Sequence, residues 1–158
     1  MDFARFKKAM DRVVDWTCIL LLALATGVCF YQVVARYVFS SPPSWSEEVA
    51  RYLFVWLTFL GSAIAFRVGA HLSLGFTKSA LPPRLRFWVS ILGLSIVASA
   101  LVFMIWQGKA VAQFAFNQLT PALQVSMSIP YMAIPVGATC MLVEVLWNIL
   151  RVWQDRAA

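Results

Sequence analysis

Four apolar runs, at about 13–38, 46–67, 87–107 and 129–152, leave this 158-residue chain almost nothing for any other structure. About 20 apolar residues suffice for a helix to cross a bilayer. A crossing backbone has no water to bond to, so each run must satisfy its own amides by forming a helix. The composition agrees: 61% of residues are apolar and 13% charged, roughly half the charged fraction of a soluble domain. The expected fold is all-α: a single four-span membrane domain over 1–158, a four-helix bundle with short interfacial helices.

The formal charge of +6 points to topology and lipid headgroups rather than to nucleic acid. Arg5, Lys7, Lys8 and Arg12 precede the first run. Arg67, Lys78, Arg84 and Arg86 fall between the second and third, and Arg151 and Arg156 come at the end of the fourth or beyond. Only Arg36, Arg51 and Lys109 lie on the other side, ten basic residues against three. Basic residues gather on the cytoplasmic side of a membrane protein, so both termini are expected there. Cys18, Cys29 and Cys140 all fall inside runs and form no CxxC pair; they read as small buried hydrophobes. The first run is longer than a signal-peptide core and lacks a following small-residue cleavage site, so it is read as a retained helix.

Local signals place the breaks. Asp2 to Asp11 reads as a short amphipathic helix, with Phe3, Phe6 and Met10 on one side and its basic residues at the headgroups. Pro42-Pro43 ends the first span, and Ser44 with Glu47 fits a capping box at the start of the second. The uncharged centre of span two, Tyr52 to Phe66, is only about 22 Å long. Arg51 and Arg67 must therefore snorkel or lie against protein. Gly69 to Arg86 reads as the connection to span three, whose Gly93, Ser95, Ala98, Ser99 and Ala100 would permit close helix approach. Gln107 to Met127 has helical spacing up to Thr120-Pro121, and span four carries Pro130 and Pro135 near its start. No internal repeat of the kind that builds inverted-repeat transporters is visible.

Charges beside hydrocarbon are costly unless they are paired, hydrated or held by a partner. At the outer edge Arg36, Glu47, Glu48 and Arg51 can neutralise one another, with Trp45 anchoring the helix start. Such a network either ties spans one and two together or forms a docking patch for a second subunit. A catalytic carboxylate pair would lack both a nucleophile and a metal ligand. At the cytoplasmic edge Asp15, Arg67, His71, Glu144, Asn148 and Arg151 form a second polar set. Glu144 should face protein or water, paired through Arg12 or Arg151. His71 is the only histidine, which excludes a bis-histidine haem made by this chain alone and argues against zinc. Four-helix drug exporters are an alternative class, but they place one essential carboxylate mid-membrane, whereas here Asp15 is too close to the membrane edge and Glu144 lies on the last helix.

The run Gln32-Val33-Val34-Ala35-Arg36-Tyr37-Val38-Phe39, followed by Trp45-Ser46-Glu47-Glu48-Val49-Ala50-Arg51-Tyr52, resembles the small membrane subunit of tripartite ATP-independent periplasmic (TRAP) transporters. Trp56 to Ala63, the basic-flanked His71, Thr120-Pro121-Ala122-Leu123 and Pro130 to Gly137 agree in order and spacing. The resemblance implies a non-enzymatic transporter component without a cofactor of its own. Its partners would be a large multi-span permease that binds sodium and substrate and moves as an elevator, and a periplasmic solute-binding protein for organic acid anions. The small subunit would brace the static scaffold of the large one. Lys109, Gln113, Asn117 and Thr120, on the outer connection, form the candidate landing surface for the binding protein.

Overall fold

A computed structural model describes residues 2–41, 43–78 and 83–157, with side chains described at 5, 7–41, 43–68, 85 and 87–154. The elements are α1 (Asp2–Tyr37), α2 (Ser44–Lys78), α3 (Pro83–Phe114), a 3-10 turn (Ala115–Asn117), α4 (Ser128–Tyr131) and α5 (Ala133–Ala157). Among the described residues, four helical stretches are long and apolar enough to cross a membrane: Lys7–Tyr37, Ser44–Val68, Phe87–Asn117 and Ser128–Gln154.

Helix lengths depart from the sequence expectation where no breaker intervenes. The amphipathic segment Asp2 to Asp11 is not a separate surface helix but the first turns of α1. No glycine or proline lies between it and the first span, and Lys7 turns inward rather than towards headgroups, being 6% exposed. Gly69 to Lys78, expected in a connection, continues α2. Beyond Trp106, α3 runs on to Phe114 and tightens into the 3-10 turn, realising the helical continuation. Proline explains the one interruption in the fourth span. Pro135 has no N–H for the Tyr131 carbonyl, and its ring crowds that turn, so α4 ends at Tyr131 and α5 starts at Ala133. Two backbone bonds, Met132 N–H to Ser128 and Val136 N–H to Met132, carry the chain across the break.

The helices pack in the order α1, α2, α5, α3, with little direct contact between α2 and α3. This gives an open bundle with α1 and α3 as its flanks. Burial is concentrated in one helix: 44% of the most apolar window of the fourth span is covered, against 17% for each of the first two and 6% for the third. α5 is therefore the central element. Ala63, Leu101, Ala138, Met141 and Val145 form the core between α2, α3 and α5. Val14, Cys18 and Leu60 form a smaller one between α1 and α2. Hydroxyls inside the spans are satisfied on their own helices, as Thr17 donates to Val13, Thr58 to Phe54 and Thr139 to Pro135.

Close helix approach rests on different small residues from those expected. A Cβ added at Gly93 would meet nothing within 4 Å, and Ser95, Ser99 and Ala100 are exposed, while Ala98 alone of that group packs against the core. The close contacts lie on α5. A Cβ at Gly137 would meet Phe59 Cβ at 2.5 Å, and one at Gly108 would meet Ile134 Cγ2 at 2.9 Å. Gly137→Ala must push α2 from α5 and is expected to destabilise the chain by about 1–3 kcal/mol. Gly61→Ala, whose added Cβ meets nothing within 4 Å, should be neutral or stabilising by up to about 1 kcal/mol, since alanine is the better helix former. Thermal unfolding of both variants in the same detergent checks this; equal melting temperatures would contradict the packing assignment.

Candidate functional site

The polar side chains collect at the two ends of the bundle, one rim bearing the termini and the other the α1–α2 and α3–α4 connections. At the connecting rim the paired glutamates of α2 part company. Successive residues on a helix are about 100° apart, so Glu47 faces α1 while Glu48 faces the loop before α4. Glu47 Oε1 accepts from Gln32 at 3.1 Å and from Arg36 at 3.3 Å, a tie to α1 in place of the capping box expected with Ser44. Both members of the Arg36–Glu47 pair are about half exposed, at 53% and 54%. Trp45, expected to anchor the start of α2, stacks on Tyr31 of α1 with ring centroids 5.8 Å apart.

Glu48 is only 7% exposed. Its Oε2 accepts the Ala122 N–H at 3.0 Å and the Leu123 N–H at 3.1 Å, and Oε1 accepts the Tyr52 hydroxyl. The expected four-residue ionic cluster therefore does not form as one unit. Arg36 and Glu47 pair, Glu48 turns inward, and Arg51 is exposed with no ion-pair partner among the described residues. Of the candidate landing residues, Lys109, Gln113 and Asn117 are exposed. Thr120 is 0% exposed and is removed from that surface, because its Oγ1 accepts the Val125 N–H inside the loop.

The terminal rim is a joined network across three helices. Lys7 of α1 bridges Asp11 Oδ2 at 2.8 Å and Glu144 Oε2 of α5 at 3.0 Å. Arg67 of α2 pairs with Asp15 and lies 3.5 Å from Asp11 Oδ1. Arg67 is thus held against protein, which resolves half of the mismatch expected for the short second span. Glu144 pairs with Lys7, not with Arg12 or Arg151 as expected. Arg151 instead sits over the Trp147 ring at 5.5 Å, and Lys7 approaches the same ring at 5.8 Å. Asn148 is buried one turn beyond Glu144. His71 lies in α2, but its side chain is outside those described. A cavity of about 10 Å³, lined by Asp11, Arg67, Cys140 and Glu144 among others, has room for about one water.

Sequence reasoning missed Lys7, Asp11, Gln32 and Tyr52. The first two had a readable signal: Lys7, Asp11 and Asp15 recur every four residues and so share one stripe of a continuous helix. Assigning the first ten residues to the membrane surface hid it.

The two rims differ in what their ion pairs are worth. Glu144→Ala leaves Lys7 buried with Asp11 as its one remaining ion-pair partner among the described residues and is expected to cost about 3 kcal/mol. Arg36→Ala removes an exposed pair and should cost at most about 1 kcal/mol. Unfolding of the two variants in one detergent distinguishes them; a larger loss for Arg36→Ala would reverse this ranking.

Comparison with known proteins gives the arrangement its context. Residues 25–155 match the DctQ component of the tripartite ATP-independent periplasmic transporters. The chain is 25% identical over 155 residues to the sialic acid TRAP transporter small permease protein SiaQ of Vibrio cholerae, covering 96% of this chain and 89% of that one. It is 26% identical over 99 residues to the C4-dicarboxylate TRAP transporter small permease protein DctQ of Rhodobacter capsulatus, covering 61% and 44%. A third relative is the isethionate TRAP transporter permease protein DctMQ of Oleidesulfovibrio alaskensis, 26% identical over 137 residues, which are 82% of this chain and 21% of that protein. A family match over residues 25–155, which is most of the four-span bundle, means that this chain belongs to the DctQ family, as a multi-pass inner-membrane transporter component and not an enzyme.

Proposed function

We propose that this chain is the small permease subunit of a sodium-driven secondary transporter for organic acid anions, bracing the static scaffold of a large elevator-type permease. A soluble periplasmic receptor delivers the solute, and both termini lie in the cytoplasm. One observation carries the reading: 82% of this chain aligns, at 26% identity, with 21% of the longer DctMQ permease. A segment that is separate in one relative and embedded in a permease in another is a segment that works against that permease. Anionic cargo fits the relatives named for sialic acid, C4-dicarboxylate and isethionate.

The physical case for bracing lies in the ties between helices. α2 is fixed to α1 at both rims and packs along α5, so the chain meets a moving neighbour as one stiff body. Its flanks carry large exposed apolar side chains, including Trp16, Phe30 and Val33 on α1 and Trp88, Leu92 and Phe103 on α3. Lipid or a partner helix can cover them. Orientation follows from the ten-to-three distribution of basic residues.

Two measurements test this. Reconstituted with its large permease and receptor, the chain should support sodium-dependent uptake of an organic acid anion, while the chain alone should support none. Uptake by the isolated chain would overturn the proposal. In a background with the three native cysteines replaced, Ser41→Cys should react with an impermeant thiol reagent added outside spheroplasts, and Gln154→Cys only after lysis. The opposite pattern would invert the topology.

A further inference from the structure

The loop from Gln118 to Met127 has a backbone fixed by internal bonds. Leu119 and Ser126 form an antiparallel bridge, Thr120 N–H donates to Val125, and Met127 N–H donates to Gln118 at 2.8 Å. Gln124 closes the turn at a φ of 56°, the left-handed region that a residue with a side chain enters only when its surroundings hold it there. At the crest of this turn two successive amides, Ala122 and Leu123, point back into the protein and converge on one carboxylate oxygen of Glu48. Consecutive N–H groups of this kind form a concave anion site. Here the anion is supplied by the chain's own second helix, 74 residues earlier in sequence.

This changes what the second acid of the Trp-Ser-Glu-Glu element is for. Glu48 is buried and its oxygens are taken up by the loop and by Tyr52, so it has no face to offer another polypeptide. What it exposes instead is the far side of the turn: Leu119, Pro121, Ala122 and Gln124 are all open to solvent. That ridge stands on the same rim as the exposed Asn117, whereas Thr120, expected on the surface, lies inside and stiffens it.

We propose that Glu48 is a positioning residue: it staples the outer loop to α2 through the backbone amides of Ala122 and Leu123, and so holds the ridge Leu119–Gln124 as the landing surface for the soluble receptor. The landing role rests on the function proposed above, but the staple does not. The partner is the receptor and not the large permease, because the ridge is the crest of a loop beyond the helix ends, while a lateral membrane partner meets the helix flanks.

The test uses the full chain assembled with its large permease. Hydrogen exchange of peptides covering 118–127 reads the staple. Glu48→Ala should speed exchange there about tenfold with the α2 peptides unchanged, and Glu48→Gln, which keeps one acceptor oxygen, should show a smaller rise. Unchanged exchange in Glu48→Ala overturns the staple. Ala122→Pro removes one donor without touching a span, so it gives the same reading if Glu48→Ala fails to insert. Because both variants break the same interaction, their effects should not add in the double variant; additive effects also overturn the proposal. Receptor titration of uptake reads the landing role. The receptor concentration for half-maximal uptake should rise about fivefold or more, with the rate at saturating receptor preserved. Faster exchange with unmoved half-saturation overturns the landing role. Absence of receptor-dependent uptake in the unmodified complex would instead count against the underlying functional reading and leave the exchange result to decide the staple.

Discussion

A charge beside hydrocarbon that cannot reach water persists only if a counter-charge or a set of dipoles stands within a few ångströms of it, and this requirement organises both ends of the molecule. At the terminal rim two cations and three carboxylates from three helices meet through Lys7 and Arg67. At the other rim a carboxylate is neutralised by backbone amides. The apolar packing between the rims sets how closely the helices approach, through Gly108 and Gly137. The polar ends decide which helix faces which, since a rotation of α2 by one residue would carry Arg67 away from α1 and Glu48 away from the loop.

Much of the fold was legible from the chain alone. Hydrophobic run length marked four crossings, Pro42-Pro43 marked the first break, and charged residues with Trp45 marked the rims. Helix extent was less legible, because surface amphipathicity and an inward stripe look alike in a segment as short as Asp2 to Asp11. The sequence could not reveal whether Lys7 faces headgroups or Glu144, which lies 137 residues away. That choice depends on where α5 stands, a tertiary fact.

The polar sets were found as residue types but not as partnerships. Asp15 with Arg67 and Arg36 with Glu47 fell within the two expected groups and do pair. Glu48 was expected in an ionic network with Arg36 and Arg51 and Thr120 on a landing surface; both are buried and bond to the loop backbone. Both errors have one cause: a side chain that bonds to a distant backbone amide leaves no mark in side-chain pattern, because every residue but proline carries that amide.

The Arg36–Glu47 and Asp15–Arg67 pairs also carry a mechanical consequence. Along α1 the two attachment points are separated by 21 residues, about 31 Å; along α2 they are separated by 20, about 30 Å. The antiparallel helices are riveted at matching intervals, near the thickness of the hydrocarbon they cross. Axial shear between them would strain both rivets together rather than one after the other, so sideways load on this edge of the assembly is borne along the whole length of the plate.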